Sequence, residues 1–245
     1  MRLLLINPNT ADSITALVAD HAGRILGDEA EITAVTGRFG ARYIASRSAA
    51  AIAAHAALDC LAEHGPGADA VLLACFGDPG LEALKEISPV PVVGMAEASC
   101  HMACLLGRRF AIVTGGERWG PMLQDFVAAQ GLSGRLAAIR TVAPTGGEIA
   151  ADPDGAVRLL AESCRACAGD GADVVILGGA GLAGLAEPVA EQAGIRVICS
   201  LEAGLRATVA AARLQPARTA RRAPGTGTDS TGLSAALRHA LTALR

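Results

Sequence analysis

One stretch of this chain is written twice, and the repeat constrains the fold more than any other feature. Residues 67–77 run Gly67-Ala68-Asp69-Ala70-Val71-Leu72-Leu73-Ala74-Cys75-Phe76-Gly77. Residues 171–181 run Gly171-Ala172-Asp173-Val174-Val175-Ile176-Leu177-Gly178-Gly179-Ala180-Gly181, and no gap is needed to align the two. Each copy is a turn, then an apolar run of one strand's length, then a small residue where the backbone must turn sharply. Other pieces repeat at a similar interval. Arg2-Leu3-Leu4-Leu5-Ile6-Asn7 resembles Arg109-Phe110-Ala111-Ile112-Val113-Thr114, and 89–98 resembles 194–203. Residues 1 to about 95 and about 108 to 203 therefore read as two copies of one α/β unit. The copies differ at the strand tip, where Cys75 falls opposite Gly179.

Short apolar runs at 3–6, 32–35, 70–74, 90–93, 110–113, 136–142, 174–177 and 196–199 read as buried parallel strands. Ala-rich stretches such as 13–26, 46–64 and 153–168 read as the helices between them. This alternation predicts an α/β fold with parallel sheets and right-handed crossovers. The segment 216–230 is rich in Pro, Gly, Thr and Arg and reads as an exposed loop, with Arg218, Arg221 and Arg222 as a solvated basic run. Ser230 or Thr231 is placed to cap a last helix with Leu233, Leu237, Leu241 and Leu244 on one face.

About half of the 245 residues are apolar, enough for a globular core, and the net charge is −3. That balance argues against nucleic acid or a membrane surface as partner. Four Phe, one Tyr and one Trp are too few for a base-stacking platform. No run of apolar residues is long enough to span a bilayer, and the apolar run at 1–6 is too short for a signal peptide. The seven cysteines lie in apolar segments without the spacing of a secreted scaffold. The expectation is a soluble cytoplasmic protein with free thiols that acts on a small molecule.

Cys75 is the leading candidate for chemistry. It follows a buried strand and precedes Gly77-Asp78-Pro79-Gly80 and a helix over 81–86. In an open α/β sheet, ligands bind at the carboxyl ends of strands. A helix start with free backbone N–H groups would favour the thiolate. The N-terminal strand ends in Asn7-Pro8-Asn9-Thr10, which puts amides and a hydroxyl at the same sheet edge. Asn7 and Asn9 are alternatively turn residues, and Thr10 alternatively caps the helix that begins near Asp12. Thr114-Gly115-Gly116 is the matching turn of the second copy.

Other motifs read as structure. Gly179-Ala180-Gly181-Leu182-Ala183-Gly184 fits a dinucleotide fingerprint, but its repeat partner has glycines at the same last two places, so shared turns explain them better. Cys164-Arg165-Ala166-Cys167 lies late in a helix, where packing explains the pair. Cys100 and Cys104 share a helix face, but no second ligand cluster accompanies them. No metal and no cofactor is expected.

At Ile6-Asn7-Pro8-Asn9-Thr10, Ala74-Cys75-Phe76-Gly77-Asp78-Pro79-Gly80-Leu81, Pro91-Val92-Val93-Gly94, Leu177-Gly178-Gly179-Ala180-Gly181-Leu182 and Gly232-Leu233-Ser234, the chain resembles the aspartate/glutamate/hydantoin racemase superfamily, in particular its hydantoin and allantoin racemase branch. The resemblance covers essentially the whole chain. It implies two pseudo-symmetric α/β domains with the active site in the cleft between them. The first would hold 1–95 plus 206–245, with the C-terminal helix returning to it, and the second 96–205. It also implies a homo-oligomer and a cofactor-independent mechanism in which two cysteines work on opposite faces of a carbon acid. Cys75 matches the first cysteine, and Gly179 stands in place of the second.

A two-base racemase needs an acid or base on each face of the planar intermediate, and glycine supplies neither. Cys199 and Ser200 end the next strand and are the candidates to replace it. The related arylmalonate decarboxylases use a single cysteine, which matches the other copy. Such a site must also hold the enolate, and the backbone N–H groups of Phe76, Gly77, Ala180 and Gly181 are candidate oxyanion donors, helped by Asn7, Thr10 and Thr114. Tyr43 falls in a loop that borders the ligand in the family, and either shapes specificity or packs, as does Trp119. Asn9, Gly115 and Gly179 complete the expected substrate-binding set. The function implied is a racemase or epimerase acting through Cys75 on a hydantoin, allantoin or amino-acid-like carbon acid. The alternatives are a single-cysteine decarboxylase or isomerase, and a ligand-binding protein without turnover.

Overall fold

The computed structural model describes residues 1–142, 152–214 and 230–243. Its elements run β1 Arg2–Asn7, α1 Asp12–Leu26, β2 Glu31–Thr36, α2 Arg47–His64, β3 Ala70–Leu73, α3 Leu81–Ile87, β4 Val92–Gly94 and α4 Met95–Leu106 in the first half. The second half runs β5 Phe110–Gly115, α5 Trp119–Ala129, β6 Leu136–Val142, α6 Pro153–Gly169, β7 Val174–Gly178, α7 Ala186–Ala193 and β8 Arg196–Cys199. Two more helices follow, α8 Ser200–Leu214 and α9 Ala235–Ala243. The predicted strands and helices are all present. The fourth strand begins at Val92 and not at residue 90, because Pro91 cannot donate to a ladder.

The strands form two four-stranded parallel sheets, ordered β2-β1-β3-β4 and β6-β5-β7-β8. The repeat is therefore a repeat of topology. Each central strand is buried on both faces, as the unbroken apolar runs predict. Successive residues point to opposite faces. Leu3, Leu5 and Leu72 share a core with Phe110, Ile112 and Ile176, together with Met95 on α4 and Leu201 and Leu205 on α8. That core lies between the sheets. The alternate residues Leu4, Ile6, Val71 and Leu73 pack outward on Leu61, Leu84 and Leu237. Their counterparts Ala111, Val113, Val175 and Leu177 pack on Leu160, Cys164 and Cys167. Each large apolar side chain so buried contributes about 1.5–3 kcal/mol. The Cys164 and Cys167 pair is core, as its place late in a helix predicts.

Helix starts follow local chemistry. Ser46 accepts from Ala49 N–H at the start of α2, and Asp152 accepts from Gly155 N–H at α6, where Pro153 takes the first helical position. Two capping expectations fail. The residue before α1 is Ala11, with no side-chain cap, while the Thr10 N–H donates to Ala41 O at 3.2 Å. At α9 the acceptor is Ser234, bonded to Leu237 N–H at 3.1 Å, and not Ser230 or Thr231. Leu237 is buried there and Leu233 and Leu241 pack beside it. Leu244, Arg218, Arg221, Arg222 and residues 216–229 lie outside the described residues. Among the described residues, no helix is long and apolar enough to cross a membrane.

Candidate active site

A cavity of about 340 Å³ opens between the carboxyl ends of the two sheets. Its wall comes from the chain just beyond β1, β2, β3, β5 and β7, where ligand sites of parallel sheets belong. Of the residues singled out from sequence, Asn9, Tyr43, Cys75, Phe76, Thr114, Gly115, Gly179, Ala180 and Gly181 line it together. Asn7, Thr10 and Gly77 do not.

The reason is clear for each. The buried Asn7 amide donates to Asn9 Oδ1 at 2.9 Å, to Thr15 Oγ1 at 2.9 Å and to Ala11 O. Its side chain is consumed in building the β1 turn. Asn9 Oδ1 also accepts from Ala11 N–H at 2.8 Å, which turns the Asn9 Nδ2 group away from these partners. Thr10 ties the turn to the neighbouring loop through its backbone. Gly77 lies under the ring of Trp119, where a β-carbon would stand 2.5 Å from an indole carbon.

Cys75 sits at the β3 tip, half-buried and facing the cavity. The turn that follows is fixed by Asp78, whose N–H donates to Cys75 O at 3.0 Å. Asp78 is a non-glycine residue at φ 48°. Its buried carboxylate accepts from Ala96 N–H at 2.9 Å and Glu97 N–H at 2.7 Å, the first turn of α4. A carboxylate there satisfies two orphan donors and complements the helix dipole. It also reverses the expected electrostatics. The α4 donors serve Asp78 and not Cys75, and α3, the helix expected to favour a thiolate, is only seven residues long. Burial, then the nearby Asp78 charge, pushes the Cys75 thiol up to about 12. Burial raises Asp78 itself to about 7. The resting thiol is protonated, not a thiolate.

The β7 tip is different. Gly178 lies flat against the Phe76 ring, which leaves no room for a β-carbon. Gly179 has φ 139°, and its N–H donates to Ser200 Oγ at 3.2 Å. A β-carbon built on Gly179 would meet Leu182 Cγ at 3.8 Å and Thr114 Oγ1 at 3.9 Å, so space exists beside it. Neither Cys199 nor Ser200 lines the cavity. Cys199 packs in the core between the sheets, and Ser200 is buried behind the turn.

Loops from both halves close the mouth. Tyr43 Oη donates to Gly115 O at 3.0 Å, and Trp119 also lines the cavity. Burial raises the Tyr43 phenol, partly offset by a hydrogen bond with Trp119. Arg47 at the start of α2 pairs with Asp125 of α5 at 2.5 Å. Sequence reasoning missed Ser13, Ile14, Arg42, Ile44 and Leu182 in the wall. Arg42 and Ile44 flank Tyr43, so the loop that pointed to Tyr43 carried a signal for them. Ser13 and Ile14 look like ordinary helix. Among the described residues, no three His, Cys, Asp or Glu gather as a metal site would need.

The family model described as Asp/Glu/Hydantoin racemase matches residues 3–208. A hydantoin racemase of Paenarthrobacter aurescens is 36% identical over 211 residues, spanning 84% of this chain and 89% of that one. The crystal structure of an allantoin racemase from Pseudomonas fluorescens superposes with TM-score 0.84 at 32% identity, covering 87% of this chain and 92% of the other. An arylmalonate decarboxylase shares the fold, with TM-score 0.63 at 21% identity, over 90% of this chain and 96% of that one.

Proposed function

Because this chain belongs to the Asp/Glu/hydantoin racemase family, we propose that it is a racemase-like enzyme in which Cys75 exchanges the proton on the carbon next to a carbonyl, in a hydantoin, allantoin or amino-acid-like substrate. The observation that carries this reading is that, among the described residues, Cys75 is the one thiol in the wall of the cavity between the sheets. Substrate would enter with its acidic carbon toward Sγ. In its thiolate form Cys75 takes the proton, leaving an enolate whose oxygen is met by donors at the strand tips. Among the described residues the N–H groups of Phe76 and Ala180 have no protein acceptor and are suited to this. The proton returns to carbon and the thiolate is regenerated. Return from the face of Cys75 retains configuration. Inversion needs a proton from the Gly179 side. A solvent water admitted beside Thr114 would donate it and be left as hydroxide, which takes up the proton held by Cys75 through solvent and so regenerates the thiolate. The cytoplasmic location, the homo-oligomer and the absence of a cofactor belong to the same proposal.

A second reading is favoured by the protonated thiol and by Gly179 together. If carbon dioxide leaves from a substrate carboxylate, the electron pair stays on carbon as an enediolate. Cys75 then has only to donate its proton, ending as thiolate until solvent restores it. This one-sided chemistry asks nothing of the β7 tip.

Proton NMR in D₂O tests both, with 5-substituted hydantoins, allantoin, amino acids and aryl-malonates as substrates and Cys75→Ala as control. The first reading expects loss of the carbon-bound proton signal that depends on Cys75. Racemisation shows as lost optical rotation, and one-sided exchange as retained rotation. The second expects deuterated product with release of carbon dioxide. Binding without turnover in both proteins would identify a binding protein instead.

A further inference from the structure

We propose that Arg42 selects substrates bearing a carboxylate on the arm attached to the reacting carbon, so that this cavity prefers hydantoin-type carbon acids with an acidic arm over neutral ones. The inference rests on the reading of this cavity as the place where Cys75 meets a carbon acid, and it adds the charge of the substrate.

Arg42 lies in the cavity wall and is exposed at its mouth. Its neighbours in sequence are committed elsewhere. Arg38 donates to Asp59 through Nε at 2.9 Å, and Arg47 pairs with Asp125. Among the described residues Arg42 has neither an ion pair nor a hydrogen-bonded partner, although its loop is anchored on both sides by Tyr43 and by Ala41. Among the described residues the wall contains no Asp, Glu, Lys or His. No described residue of the wall therefore neutralises the guanidinium.

The other free polar groups complement the same ligand. Asn9 Oδ1 already accepts twice, so its Nδ2 donor is what remains. Thr114 lines the wall and is only 4% exposed as a residue, and its hydroxyl has no protein partner among the described residues. The nearby carboxylate of Asp78 is held on α4 by two N–H groups and does not line the cavity. The cavity thus offers donors and a positive charge against apolar walls from Ile14, Ile44, Phe76 and Leu182. An anionic arm gains a charge-assisted contact with a planar fork that matches a carboxylate. A neutral arm leaves the guanidinium in water, so the outcome is preference and not exclusion.

The test is calorimetric titration with two ligands of equal length, 5-(2-carboxyethyl)hydantoin and its primary amide. Wild type, Arg42→Gln and Arg42→Lys are compared at low and moderate salt. The expected result is about tenfold tighter binding of the acid by wild type, as a charged hydrogen bond provides. The acid-to-amide ratio should fall to about one in Arg42→Gln, persist in part in Arg42→Lys, and shrink with salt. Because the ratio is internal to each protein, partial misfolding does not mimic it. A ratio near one in wild type, a ratio that survives in Arg42→Gln, or failure of wild type to bind either ligand would overturn the proposal. The same samples followed in D₂O separate it from the role of Cys75. Acid preference without proton exchange defeats the Cys75 reading alone, and exchange without preference defeats the Arg42 reading alone.

Discussion

The turns after β3 and β7 are the same turn twice, yet they do different work. The first carries Cys75 and ties itself to the start of α4 with a charged group, the Asp78 carboxylate on Ala96 and Glu97. The second carries Gly179 and is tied by a neutral one, the Ser200 hydroxyl reaching back to the Gly179 N–H. Leu182 occupies the place of Asp78. The first turn thus holds a thiol whose ionisation is opposed by burial and then by the Asp78 charge, and a carboxyl raised by its own burial, while the second holds nothing that titrates. Each half also caps the other, with the Phe76 ring on Gly178 and the Trp119 ring on Gly77. Duplication supplied two equivalent strand tips, and side-chain identity gave one a thiol and left the other bare.

The largest test of this asymmetry is removal of the thiol. Cys75→Ala is expected to lower proton exchange by about 10²–10⁴-fold, the worth of one general acid–base group, measured by deuterium incorporation. A variant that kept full activity would place the chemistry elsewhere. Next in size is Asp78→Ala, which leaves two N–H groups at the start of α4 unpaired and is expected to cost about 1–3 kcal/mol in denaturant unfolding. An unaltered midpoint would mean that the turn needs no charged tie.

Gly179→Cys makes the two turns alike. Space beside Thr114 admits the side chain, while φ 139° imposes strain of about 1–3 kcal/mol. The variant is expected to lose stability and to gain loss of optical rotation relative to one-sided exchange, read by polarimetry beside NMR. Faster exchange without inversion would show that the second face is blocked for another reason.

Two pH effects sharpen the electrostatic side. The Cys75 thiol stands near 12, so its alkylation by iodoacetamide should still be climbing above pH 10 and show no plateau near the ordinary thiol value. Asp78 is raised to about 7, above the roughly 4 of an unfolded carboxylate. The folded protein binds that proton more tightly, so this group's contribution to stability falls as pH rises from about 4 to about 7. Asp78→Asn should flatten that slope in thermal melts, and a slope that persists would assign it to other groups. The smallest effect expected is for Tyr43→Phe, which removes one exposed bond to Gly115 and about 0.5–1 kcal/mol at most.

Periodicity and repetition determined much of this by themselves. Unbroken apolar runs can be satisfied only by strands covered on both faces, and their alternation with Ala-rich helices leaves parallel sheets as the solution. The repeat at 67–77 and 171–181 fixed that there are two such sheets and that Cys75 and Gly179 occupy matching tips. Tertiary structure decided what surrounds those tips. Asp78 reads locally as a turn residue, and only the packing of α4 reveals that its carboxylate is buried and lifts the thiol. Asn7 reads as a ligand group until its amide is seen spent on Asn9, Thr15 and Ala11. Arg42 reads as one surface cation among many until the described residues of the wall around it prove to hold no counter-charge. Hydrophobic pattern is a property of neighbours along the chain and is legible there. The ionisation and availability of a polar group depend on which distant atoms desolvate or bond it, and folding alone brings those atoms into place.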